Sequence, residues 1–141
     1  MNRIASVKLA PAQGSFPFEP KALTFTSEGP SVMLGVPPPK TRVSPSSHNG
    51  LFAPLHNTIL PLTLAVTHAE LYLEGNKVVI RDLDSPFGTF VNGQQIREAA
   101  PLKVGDVITL GKRISRNAKT PPDITDDQLR PILMRVTLIS A

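Results

Sequence analysis

Asp82, Ser85, Thr89 and Asn92 place a carboxylate, two hydroxyls and an amide within a few positions of one another. Side chains this short bond neighbouring backbone groups readily, so such a set stitches a loop into shape or presents donors and acceptors to a ligand. Asp82 and Asp84 stand two apart, which reads as turn chemistry rather than as an acid/base pair. His48, His56 and His68 have no metal-like spacing with acidic residues, and no nucleophile with a base and no P-loop is visible. The sequence therefore calls for no enzyme, no metal and no cofactor. Cationic residues gather between Arg97 and Lys119: Arg97, Lys103, Lys112, Arg113, Arg116 and Lys119 stand against only Glu98 and Asp106. A basic stretch suits an anionic partner, although a solvated rim of strand ends and loops accounts for it more simply.

The elements that hold the polar cluster are legible around it. Val78-Val79-Ile80 is an apolar, β-branched run with the composition of a buried strand. Asp82 to Gly88 mixes Asp, Ser, Pro and Gly, a structured loop. Thr89-Phe90-Val91 is strand-like again, and Asn92-Gly93 is the strongest short signal for a type I′ hairpin turn. The order is strand, loop, strand, tight turn, strand, with one elaborate loop on a β scaffold.

The rest of the chain extends that pattern. Arg3 to Ala10 reads as a first strand ended by Pro11, and Gly14 to Pro20 as a connector whose Phe16 and Phe18 pack at an edge. Leu23 to Thr26 and Val32 to Leu34 read as strands around a turn at Ser27 to Pro30. Val36 to Leu62, with Pro37-Pro38-Pro39, is the least regular part; a long loop of this kind is usually functional or mobile. Leu62 to Leu73 resumes strand character, and Gly75-Asn76 turns the chain into Val78. Pro101 to Asp106 is a turn delivering Val107 to Leu110. Arg116 to Gln128 reads as a loop, with one helical turn over Thr125 to Leu129. Ile132 to Ile139 closes the chain, with Met134, Val136 and Leu138 on one face. About ten or eleven short strands without an internal repeat predict an all-β fold, a sandwich of two sheets.

Composition sets the outer bounds. The 141 residues fit one domain able to bury a core. The 15 Pro and 9 Gly disfavour long helices, and the absence of Cys suits a reducing compartment. No apolar run is long enough to span a bilayer, so the chain reads as soluble, with an anchor in a longer parent protein left open. The net charge of +4 is modest and aromatics are few, so a nucleic-acid-binding β domain is a remote alternative.

The segment Arg81 to Gly93 resembles the "D-x-x-S-x-N-G-T-x-x-N-G" segment of forkhead-associated (FHA) domains. Three further pieces match in order: Leu34-Gly35, Thr67-His68-Ala69-Glu70, and Gly105 to Gly111. The resemblance covers roughly Val7 to Ile139 and implies one FHA-like domain over residues 1–141. Its motif-bearing core is about 32–111, with strands in 3–26 and 132–139 completing the sandwich. More narrowly, Asn49-Gly50-Leu51-Phe52 to His68 and the tail after Gly111 resemble fungal FHA proteins related to the sarcolemmal-membrane-associated protein. That likeness implies a cytoplasmic scaffold of the kind that joins kinase–phosphatase signalling assemblies, with a protein or phosphopeptide partner.

FHA domains are known as phosphothreonine-peptide readers, and the resemblance can be carried over position by position. The Arg that meets the phosphate falls on Val36, the Ser that assists it on Ala65, and the Asn that clamps the peptide backbone on Phe87. All three are apolar here. The frame survives in Gly35, His68, Asp82, Ser85, Gly88, Thr89, Asn92 and Gly93, which are read as structural; His68 orients loops. A charge-assisted hydrogen bond contributes roughly 1.5–3 kcal/mol, so losing the Arg alone costs about a hundredfold in affinity. The expectation is a degenerate phosphothreonine pocket. The alternative is a pocket rebuilt from Lys40 and Arg42 in the long loop and from Thr67, two residues from Ala65 on the same strand face.

Overall fold

The computed structural model describes residues 3–37, 46–52 and 62–140. Among them are ten strands and one 3-10 turn: β1 Ile4–Pro11, β2 Lys21–Thr26, β3 Val32–Leu34, β4 Ala69–Glu74, β5 Lys77–Asp82, β6 Thr89–Val91, β7 Gln94–Ile96, β8 Ala99–Pro101, β9 Val107–Leu110, the turn Asp127–Leu129, and β10 Ile132–Ser140. They form two antiparallel sheets, one ordered β2-β1-β10-β9-β6-β7 and the other β3-β4-β5-β8. The expected all-β sandwich of two sheets is what the chain forms.

Period-2 alternation explains how each sheet faces the core. Ala5, Val7 and Leu9 of β1, Leu23 and Phe25 of β2, and Ile132, Met134 and Val136 of β10 are buried. Opposite them lie Leu34, Ala69, Leu71, Val78 and Ile80 of the second sheet, in the same apolar cluster. Phe16 and Phe18 join the core rather than merely lining an edge, and Phe18 meets Phe52 edge-on at 5.1 Å. Lys21 is buried beside that pair. Its ammonium donates to the carbonyls of Ser46 and Leu51, both at 2.6 Å, and stands 4.8 Å from the Phe52 ring centre. Burial pulls its pKa down to about 8, with Glu19 opposing.

Three readings of the sequence need correction. Leu62 to His68 is not strand but a pair of turns, and the ladder starts only at Ala69. The reason is competition for its backbone groups: the Ala65 N–H donates to the His68 ring at Nδ1, the Leu62 N–H donates to Gln128 O, and Ala65 O accepts the Val36 N–H. Ala65 and Thr67 therefore share no strand face. β1 also runs through Pro11, and Ala99–Pro101 is an edge strand rather than part of a turn. Pro101 is tolerated there because an edge strand leaves one row of N–H groups unpaired anyway.

Candidate functional site

The β5–β6 loop is built by Asp82. Its Oδ1 accepts the hydroxyls of Ser85 at 2.5 Å and Thr89 at 2.7 Å, and its Oδ2 accepts the Ser85 N–H at 3.2 Å. Ser85 Oγ in turn accepts the Gly88 N–H at 3.0 Å. Ser85 thus passes the carboxylate's hold on to Gly88, which sits at φ +91°, a conformation open to Gly but strained for other residues. Asp84 also adopts positive φ, at 54°, as short polar residues can in a tight loop.

His68 ties this loop to its neighbours. With no solvent exposure, it accepts the Ala65 N–H at Nδ1 (3.1 Å), leaving Nε2 to donate to the Gly88 carbonyl at 2.8 Å. This pattern assigns a neutral ring, protonated on Nε2. Desolvation by burial lowers the His68 pKa below the ordinary 6.5, against the raising effects of the Gly88 carbonyl and Asp82. Its backbone joins the same junction, donating to Leu34 O and accepting from Leu83 N.

Gly35 lies where two backbone segments nearly touch. A Cβ there would stand 2.0 Å from the Val66 carbonyl oxygen and 2.6 Å from that of Ala65, so no other residue fits without backbone movement. Val36 follows, donating its N–H to Ala65 O at 3.1 Å, and its side chain is 8% exposed within the core cluster. Val36 and Ala65 are thus brought together, and neither carries a polar side-chain group. Val66 and Thr67 beside them are exposed, and Phe87 at the loop tip is 39% exposed. Lys40 and Arg42 lie outside the described residues.

Asn92 does more than turn the chain. Asn92 and Gly93 have φ of 51° and 81°, the positive pair a type I′ turn needs. The Asn92 amide also donates to Asp106 Oδ1 at 2.9 Å and accepts the Val107 N–H at 3.0 Å. Asp106 completes the clamp by accepting the Lys103 N–H. Sequence reasoning missed that role, along with buried Lys21 and the Glu70–Arg81 ion pair, where Ser31 bonds the second carboxylate oxygen at 2.7 Å. The one available signal was the Asn92–Asp106 pair flanking two strands.

The facing loops bring buried Val36 beside Ala65, and the two supply neither guanidinium nor hydroxyl. Among the described residues there is no cluster of three or more His, Cys, Asp or Glu suited to a metal ion. No helix there is long and apolar enough to cross a membrane.

Residues 63–111 match the family model described as FHA domain. No curated protein matches the chain. Similar solved structures include the FHA domain of the CT664 protein from Chlamydia trachomatis, 17% identical over 96% of this chain and 97% of that one, TM-score 0.54. The FHA domain of an Arabidopsis thaliana hypothetical protein is 20% identical over 98% and 86%, TM-score 0.52. An engineered FHA domain with a Myc-pTBD peptide is 20% identical over 95% and 89%, TM-score 0.51. With residues 63–111 matching the family model and these structures aligning over nearly the whole chain, the chain has the fold of an FHA domain.

Proposed function

We propose that this chain is a single-domain protein-interaction module of the phosphopeptide-binding FHA class, not an enzyme, whose phosphothreonine pocket is degenerate. Partners are bound mainly through contacts that do not involve phosphate. The observation that carries this reading is the burial of Val36 in the core beside Ala65, while Phe87 is exposed at the tip of the facing loop. A phosphate at that point would lose water without a guanidinium from position 36 or a hydroxyl from position 65 to replace it, which electrostatics opposes. An exposed aromatic on a rigid loop is the type of group that anchors a partner. Peptide binding is supported by the likeness to an engineered FHA domain with a Myc-pTBD peptide. The narrower resemblance, in the run from Asn49 to His68 and the tail after Gly111, favours a cytoplasmic scaffold in kinase–phosphatase assemblies.

A threonine peptide library, assayed in phosphorylated and unphosphorylated forms, tests the degenerate pocket. The expected phosphate preference is less than about tenfold, the factor that corresponds to one charged hydrogen bond at the low end. A larger preference that Lys40→Ala or Arg42→Ala abolishes would mean that the long loop has rebuilt the pocket. The back-substitution Val36→Arg with Ala65→Ser and Phe87→Asn should then create phosphopeptide binding only if the backbone frame is intact and the side chain at position 36 can leave the core.

A further inference from the structure

Between β9 and β10 the chain leaves the sandwich and returns, and its two limbs are tied by the Ile114 N–H donating to Leu129 O at 2.8 Å. A cleft of about 310 Å³ opens between them, with Arg113, Arg116 and Arg130 in its walls beside buried Leu129. Two of these guanidiniums already hold carboxylates. Arg116 meets Asp126 at 3.0 Å and Arg130 meets Asp127 at 3.4 Å. Arg113 is exposed and has no ion-pair partner among the described residues. The excursion adjoins the loop face: Leu62 N–H donates to Gln128 O, and Thr63 Oγ1 both accepts from Lys112 N–H and donates to Lys112 O.

We propose that this cleft docks an acidic segment of the partner protein, whose Asp or Glu carboxylates pair with Arg113 first and with Arg130 and Arg116 beside it. The proposal rests on the interaction-module reading and specifies its partner. Guanidinium forks match carboxylates in geometry, and two of the cleft's arginines already pair with carboxylates of the chain, Asp126 in the cleft wall and Asp127 outside it. Bringing three guanidiniums together leaves positive charge unmatched, and the chain as a whole carries +4. Asp126 in the wall disfavours a compact dianion, which would sit against a carboxylate. Carboxylates spaced along a peptide instead address the guanidiniums one at a time. The resident Arg116–Asp126 pair is no barrier: the Asp126 side chain is 80% exposed, and an exposed pair contributes little.

The test is a titration of the intact chain followed by amide and arginine Nε–H NMR signals. The probes are a six-glutamate peptide in a Gly/Ser frame, its all-glutamine counterpart, a matched phosphoserine peptide and a single-stranded oligonucleotide of equal charge. The glutamate peptide should shift Ile114 to Arg116 and Leu129 to Arg130, and the glutamine peptide should not. Arg113→Gln should weaken glutamate binding by roughly fivefold, the size of an exposed ion pair, and added salt should weaken it further. Arg113 has no ion-pair partner among the described residues to orphan, so this variant should leave the fold intact; Lys103→Gln, outside the cleft, should bind as the wild type does. Equal binding of the glutamine peptide, an unchanged affinity in Arg113→Gln, or tighter binding of the phosphoserine peptide or the oligonucleotide at the same amides would each overturn the proposal. Glutamate-induced shifts confined to Ala65, Val66 and Phe87 would also overturn it while leaving the interaction module standing. Failure of that module would show instead as a peptide library that binds nowhere on the loop face.

Discussion

The β5–β6 loop and the pair of loops facing it around Val36 and Ala65 reach the same end of the sandwich by different means. One is a closed polar network in which Asp82 satisfies Ser85 and Thr89 and Ser85 satisfies Gly88. The other is held by a backbone bond from Val36 to Ala65 and by apolar packing. His68 joins them. The difference separates shape from recognition: loop geometry depends on a network that tolerates little change. On the proposed reading, the positions that would meet a ligand can exchange polar for apolar groups as long as the frame beneath them holds.

Breaking the polar side should have the largest effect. Asp82→Ala removes the acceptor of two hydroxyls and one N–H, and Thr89 is buried and cannot turn to water. The expected loss is about 3 kcal/mol by urea unfolding, the cost of stranding buried donors. A loss under about 1 kcal/mol would mean that the backbone holds the loop unaided.

Val36→Ala probes the apolar side and should cost about 2 kcal/mol, from two lost methyl groups and the space they leave. A negligible loss would place Val36 outside the core in solution, returning the position to the surface where an Arg would be useful.

The junction between the sides should respond to acid. Burial lowers the His68 pKa below 6.5, so the unfolded chain takes up the proton more readily than the folded one. Stability should therefore fall as the pH drops through about 6.5 toward the folded-state value. Protonation at Nδ1 also removes the acceptor for the Ala65 N–H. Measuring the wild type and His68→Gln from pH 7.5 to 5 isolates this residue from the other histidines. A difference between them that stays constant with pH would show that His68 does not carry the linkage.

Much of the frame was legible because it is local. Asn92-Gly93 announces its own turn, and Met134 and Val136 alternate with Arg135 and Thr137 whatever lies across the sheet. Leu62 to His68 failed because its backbone is satisfied from afar, Leu62 N–H by Gln128 O, Ala65 O by Val36 N–H and His68 N–H by Leu34 O. Its apolar content alone could not distinguish turns from a strand. Lys21 was invisible for the same reason: a lysine in a strand reads as surface until Ser46, Leu51 and Phe52 close over it. At the proposed site, the apolar character of Val36, Ala65 and Phe87 was plain in the sequence. Which of them faces the core was not, since Val and Phe are equally at home in both settings.

Phe87 is where the smallest change in stability should accompany a clear change in binding. Its ring is 39% exposed at a loop tip whose shape is set by Asp82 and Ser85 rather than by the ring itself. Phe87→Ala should therefore alter unfolding by no more than about 0.5 kcal/mol, as for other surface truncations. If the ring anchors a partner, the same variant should weaken binding of unphosphorylated library peptides by roughly tenfold, as truncation of an aromatic hot spot does. Phe87→Leu should recover part of that affinity, because apolar area rather than hydrogen bonding supplies it. A stability loss above about 1.5 kcal/mol would mean that the ring packs inward in solution and serves the frame. Unchanged stability with unchanged binding would remove Phe87 from the recognition surface and leave Val66 and Thr67 as the exposed groups nearest Ala65.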